Sequence, residues 1–291
     1  MTHLGVALLW LLYRSLGARR LGRLGAWLGG VIHRLPGRRR RIGEANLRLC
    51  FPELGETERA ALLRAHYRQF MRATLLEAVS WWGSAEAVRA LTRIEGFEHV
   101  EPHLGRPLIL LAPHFVGLNL AAVRLAQEWS PSVSIYSRLR DPLIERLVHR
   151  ARSRFGEIEL YDRGQGIKPV LRSIRRGRAF YYLPDLDHGR RNAVFVPFFG
   201  VPAATLTGLT RIAALTGAVV VPCVAQAEAE GYVARFYPAW ENFPSGDVEA
   251  DTRRMNAFIE DRVREMPEQY FWLHKRFKTR PPGEASVYAR D

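Results

Sequence analysis

The segment Pro107-Leu-Ile-Leu-Leu-Ala-Pro-His-Phe-Val-Gly-Leu-Asn119 decides the architecture. Pro107 to Ala112 is a short unbroken apolar run, the pattern of a strand buried on both faces. Pro113 and Gly117 interrupt it. Leu118, Ala121, Leu125 and Trp129 then recur at intervals of three and four, predicting a helix to about residue 129 with its apolar face on a sheet. Downstream the texture repeats. Strands are expected at 133–137, 158–160, 179–184, 193–199, 218–225 and 232–240, with helices at 142–155, 167–176 and 248–266. Upstream, 44–50 and 56–82 read as helices, separated by Pro52 and Gly55 and ended by Gly83. Strands and helices in alternation predict an α/β fold, a sheet covered by helices on both faces. Ligands of such sheets gather at the carboxyl ends of the strands, and His114 stands at one of them.

The chain of 291 residues is 47% hydrophobic and 11% aromatic, enough to build a large core and to exclude a disordered protein. Cys50 and Cys223 are too few and too far apart for a disulfide framework or a thiolate metal site, and read as buried thiols of a reducing compartment. The formal net charge is +14, and of 43 Lys+Arg only Lys168, Lys275 and Lys278 are lysine. Arginine's planar fork matches phosphate and carboxylate oxygens in pairs, so an anionic partner is expected. Nucleic acid fits poorly, because no zinc-finger spacing, aromatic RNA-binding motif or basic region followed by heptads is present.

Residues 1–41 contain no Asp or Glu. Arg14, Arg19, Arg20, Arg23, Arg34 and Arg38 to Arg41 surround two apolar stretches, Leu4 to Leu12 and Leu24 to Ile32, each shorter than the roughly 20 residues that span a bilayer. Charge after the apolar run, with no small-residue cleavage site, argues against a secretory signal. Trp10, Tyr13 and Trp27 suit the headgroup boundary. Residues 1–41 therefore read as a membrane-seated helical segment on an anionic surface, and residues 42–291 as one α/β domain. An amphipathic helix docked on the protein's own core is the alternative.

At a helix entrance His114 meets the positive end of the helix dipole, which favours a neutral ring able to accept a proton. Five residues on an ideal helix turn through about 140° beyond a full circle, so His114 meets Asn119 only by folding back over the first turn. Other motifs weigh less. His99 and His103 have metal-like spacing, but Pro102 interrupts any helix between them. Arg163-Gly-Gln-Gly166 before a helix is either an anion cradle or a plain entry turn.

A strand-end histidine followed five positions later by an acid is the signature of the membrane-bound HX4(D/E) acyltransferases. Within that group the chain resembles the late acyltransferases of lipid A biosynthesis, the lauroyl and myristoyl transferases. The resemblance runs over Asn46-Leu-Arg-Leu-Cys-Phe-Pro-Glu-Leu54, Pro113-His114-Phe115 and Leu183-Pro-Asp185-Leu-Asp187-His-Gly189. It continues through Val194 to Gly200, Pro202 to Thr205, and the tail Pro267 to Pro281. It implies a mixed, mostly parallel sheet of the glycerol-3-phosphate acyltransferase kind. It also implies transfer of a fatty acyl group from acyl-acyl carrier protein to a hydroxyl of a phosphorylated, acylated glucosamine disaccharide, at the cytoplasmic face of the bacterial inner membrane. The carrier protein is a co-substrate, and no metal or other cofactor is implied.

On this resemblance His114 is the general base. Arg152 is expected to bind phosphate or polarise the thioester carbonyl, and Asp185 to tie its loop to the wall of the active site. For both residues a buried ion pair at the sheet's end is an equal alternative. Arg138 is a candidate for phosphate contact, with a solvated arginine as its favoured reading; Lys275 and Arg276, in the basic tail, are candidates for contact with lipid phosphate or the acidic carrier protein, with a solvated tail packed by its aromatics as the alternative. The chain departs from the signature at Asn119, where the family has Asp or Glu. An amide accepts a bond from His114 but brings no charge to an imidazolium, so an impaired dyad is expected. Three explanations stay open: an engineered substitution, an enzyme with differently supported catalysis, or a paralogue reduced to lipid binding. A different hydroxylated lipid as acceptor is also open.

Overall fold

The structure is a computed structural model, and it describes residues 2–129 and 131–288. Its helices and strands, in chain order, begin with α1 (Thr2–Ile32), α2 (Arg38–Cys50), α3 (Glu56–Trp82), α4 (Ala85–Leu91), β1 (Thr92–Glu95) and β2 (Leu108–Leu111). There follow α5 (Leu118–Glu128), β3 (Ser132–Tyr136), α6 (Pro142–Ser153), β4 (Ile158–Asp162), α7 (Lys168–Arg175) and β5 (Ala179–Tyr182). The chain then forms β6 (Ala193–Phe198), β7 (Val201–Leu206), α8 (Gly208–Thr216), β8 (Val219–Ala227), β9 (Tyr232–Phe236) and α9 (Val248–Glu265).

Seven strands form one sheet in the order β1-β9-β8-β2-β5-β3-β4. All its pairings are parallel except β8 with β9. The sheet is thus mixed and mostly parallel. Period-two alternation sends β2 into two cores. Leu108 and Leu110 pack with Ala121 and Leu125 of α5, whereas Ile109 and Leu111 pack with Leu209 and Ile212 of α8 and with Ile259 of α9.

Two expectations are corrected here. The run at 193–199 does not enter the sheet: it pairs antiparallel with β7 in a separate two-stranded ribbon, Ala193 opposite Leu206. The strand expected at 232–240 ends at Phe236. The sequence reading also passed over α4, β1, β7 and α8. β1 is four residues long, and β7 carries Pro202, so neither has the unbroken apolar run of a core strand.

Helix α1 kinks at Gly17, whose φ is +70°. Its second limb lies along α3. A Cβ on Gly29 would stand 2.2 Å from the Tyr67 carbonyl oxygen, and one on Gly25 would stand 2.7 Å from that of Met71. The two backbones touch where side chains would hold them apart. Leu4, Leu8, Trp10, Leu11, Trp27 and Val31 stay exposed on the remaining surface of the helix. No helix among the described residues is long and apolar enough to cross a membrane.

Candidate active site

Parallel pairing builds the site. β2 and β5 are neighbours, with Leu111 in register with Tyr182. Ala112 N–H extends the ladder to the Tyr182 carbonyl at 2.8 Å. His114 and Asp185 each lie three residues beyond that paired end, so the two loops present them to each other. The Asp185 carboxylate accepts from the His114 backbone N–H at 2.9 Å and from Nδ1 of its ring at 2.7 Å. Asp185 is wholly buried. Burial alone would raise its carboxyl, but the charge and hydrogen bonds of His114 prevail and hold it below the usual carboxylate range. With Nδ1 engaged as donor, Nε2 is the nitrogen left to accept a proton.

The C-terminal tail braces this turn. Val116 N–H donates to the Gln269 carbonyl at 2.9 Å and Phe271 N–H to that of His114 at 3.0 Å. Gln269 itself bonds the backbone of Ala227 through both ends of its amide. Gly117 then opens α5 at φ +83°, and a Cβ there would sit 2.2 Å from the Tyr232 ring. Only glycine meets both demands.

Asn119 does not meet His114. Its Oδ1 accepts from Nη2 of Arg152 at 3.1 Å, and its Nδ2 donates to Oε1 of Glu77 at 3.2 Å. Among the described residues the hydrogen-bonding acid of His114 is Asp185, not position 119. The reason is geometric: His114 lies in the entry turn, reaching across to the neighbouring strand's loop, while Asn119 is on α5 facing α3 and α6. The expected impairment of a His114–Asn119 dyad therefore loses its structural basis.

His114, Asn119 and Arg152 border one cavity of about 910 Å³. On the α5 side it is walled by Leu118, Ala122, Leu125 and Trp129, and across the sheet end by Phe180, Tyr182 and Ile212. Arg163, Arg191 and Arg211, all exposed, stand along it, with His188 bonded to Arg163 at 2.9 Å. Sequence reasoning missed Glu77 and, apart from the turn at Arg163, this cationic margin. A lone acid inside Leu75-Leu-Glu-Ala-Val79 was the available signal for the first. The second is drawn from three distant segments that only folding brings to one cavity.

The remaining candidates lie elsewhere. Arg276 is 2% exposed and donates to the Ala204 carbonyl at 3.0 Å and to Thr205 Oγ1 at 2.8 Å, over the Phe198 ring. It is an interior cross-link between the tail and β7, and it does not border the cavity. Lys275 lies over the Tyr288 ring at 5.3 Å. Arg138 is exposed, 4.0 Å from Asp162, and also outside the cavity wall. Asp187 likewise serves the fold, accepting from the Thr279 backbone at 2.6 Å and from its hydroxyl at 2.8 Å.

Residues 1–279 match the family described as bacterial lipid A biosynthesis acyltransferase. Similar proteins include the lipid A biosynthesis lauroyltransferase of Escherichia coli (strain K12), 33% identical over 293 residues covering 99% of this chain and 94% of that one. A lipid A biosynthesis acyltransferase of Haemophilus influenzae is 35% identical over 273 residues, covering 90% of this chain and 82% of its own. The lipid A biosynthesis myristoyltransferase of Escherichia coli (strain K12) is 32% identical over 274 residues, covering 93% and 83%.

Proposed function

The chain belongs to the bacterial lipid A biosynthesis acyltransferase family and is an acyltransferase, and from that premise we propose that it moves a fatty acyl group from acyl-acyl carrier protein to a hydroxyl of a phosphorylated lipid A precursor, with His114 as general base. One observation carries the proposal. A histidine ring held through Nδ1 by a buried carboxylate faces a cavity with apolar walls and an arginine margin.

The chemistry follows from the geometry. Nε2 of His114 takes the proton of the acceptor hydroxyl as its oxygen attacks the thioester carbonyl carbon. Asp185 holds the Nδ1–H tautomer and stabilises the imidazolium that forms. The tetrahedral intermediate collapses with cleavage of the carbon–sulfur bond, and the imidazolium returns its proton to the departing thiolate. Arg152, on the same wall, offers positive charge to the oxyanion or to a substrate phosphate. The walls from α5 and the sheet end suit the acyl chain, and Arg163, Arg191 and Arg211 suit lipid phosphate. Leu4, Leu8, Trp10, Leu11 and Trp27 leave α1 an exposed apolar surface beside arginines, which supports seating on the cytoplasmic face of the inner membrane. The intact His114–Asp185 pair favours an enzyme over a lipid-binding paralogue.

Acyl transfer from lauroyl-acyl carrier protein to the disaccharide precursor tests this reading. His114→Ala and Asp185→Asn are each expected to lower kcat by about 10²–10⁴ while the protein stays folded. Retention of the wild-type rate by His114→Ala removes the general base and with it the proposal.

A further inference from the structure

We propose that Glu77 of α3 is a positioning residue for acyl transfer: its carboxylate fixes the Asn119 amide, and the amide holds the Arg152 guanidinium at the cavity wall. This rests on the reading of His114 and Arg152 given above. Three helices contribute one group each. Glu77 Oε1, Asn119 and Arg152 Nη2 form a chain with bonds of 3.2 and 3.1 Å. Arginine is only a donor, so it takes the amide oxygen; Nδ2 must then face an acceptor, and Glu77 supplies it. Glu77 does not itself border the cavity, whereas Asn119 and Arg152 do, so it acts through them.

The surrounding groups make this carboxylate the local anion. Tyr232 reaches the cluster from β9 and Tyr181 from β5, and burial raises both phenols, leaving them neutral. Arg154, just beyond the end of α6, binds the carbonyls of Ser80 and Gly83, Tyr13 of α1 lies beside Arg154, and Arg72 stacks on Tyr232. Burial lowers the Arg152 guanidinium, and the charge of Glu77 opposes that loss. Burial in turn raises Glu77 to about 7, against the Asn119 bond and the charge of Arg152. Ionised, Glu77 presents acceptors alone; protonated, it turns one oxygen into a donor toward a partner that also donates. The amide is therefore held best above neutrality, and the transfer rate rises with pH as Glu77 ionises.

Steady-state kinetics from pH 5.5 to 8.5, with lauroyl-acyl carrier protein and the disaccharide precursor, provide the test in the full chain. Glu77→Gln is expected to lower kcat about 10- to 100-fold with little change in KM, and to flatten the limb near neutrality. Glu77→Gln combined with Asn119→Asp returns a carboxylate to the Arg152 side chain and is expected to recover most of the lost rate. Wild-type kcat with an unchanged pH profile in Glu77→Gln overturns the proposal. So does a folded double variant no faster than the single one, because the carboxylate then only fills space. If the single variant fails to fold, the double variant is read against the wild type: a kcat within about tenfold of it supports the proposal, and a folded double variant slower than that overturns it. His114→Ala runs in parallel: an active His114→Ala defeats the general-base reading, whereas an inactive one beside an unaffected Glu77→Gln defeats only the role of Glu77.

Discussion

His114, Asp185 and Arg276 are three polar residues of the motif blocks, and their surroundings give them different work. His114 keeps 17% of its side chain exposed, on the cavity side, and has a wholly buried carboxylate behind it. Arg276 has the reverse setting. Its guanidinium is shut in with Ala204, Thr205, Asn256 and the Phe198 ring, where every unmade hydrogen bond is a cost. Arg276→Gln is therefore expected to lower unfolding stability by roughly 1–3 kcal/mol, read as the urea midpoint, with KM for both substrates unchanged. A raised KM in a variant of wild-type stability would instead return Arg276 to phosphate binding. A basic, aromatic-flanked tail resembles an anion site in sequence because the same side chains serve either purpose; burial decides between them.

Helix α1 has two sides with opposite chemistry. Gly25 and Gly29 bring its second limb against the α3 backbone, so the limb is docked on the protein. Trp10, Leu11 and Trp27 point away from that contact and are 47%, 55% and 61% exposed. Arg14, Arg19, Arg20 and Arg23 are exposed around them. Docking and membrane seating, set out as alternatives from the sequence, are compatible, because they use different faces. Replacing Trp10, Leu11 and Trp27 together by Ser is expected to weaken cosedimentation with phosphatidylglycerol vesicles about tenfold or more. The thermal midpoint is expected to stay put, since these side chains add little to the core. Undiminished sedimentation would place the lipid contact elsewhere.

The protein as folded encloses several ionisable groups that acid will charge. His66 is wholly buried, its Nδ1 donates to the Glu268 carbonyl at 3.0 Å, and Nε2 has no partner among the described residues. Burial pushes the His66 ring down to about 4. Burial likewise brings His274 to about 4, with Arg276 among the charges that add to it. The unfolded chain binds these protons from about pH 6.5 downward, whereas the folded chain resists them until about 4. These rings make stability rise with pH across that window and fall on acidification; the raised carboxyl of Glu77 opposes them, one group against two. His66 alone contributes on the order of 3 kcal/mol to the loss. Asp185, held below the usual carboxylate range, acts in the same direction at lower pH. Urea midpoints are expected to fall steadily from pH 6.5 to 4, and a flat profile would contradict the burial of these rings.

Local pattern alone determined the α/β alternation, the strand–His114–helix junction and the span of α3, because apolar periodicity and Gly/Pro punctuation act over neighbouring residues. Motif spacing also led to the acyltransferase family and to His114. Tertiary structure decided the partners. Asp185 lies 71 residues from His114 along the chain and meets it only because β2 and β5 pair in parallel. Asn119, five residues away, faces Glu77 and Arg152 instead. Hydrogen bonds between distant side chains depend on strand order and helix packing, which a one-dimensional pattern of hydrophobicity does not encode.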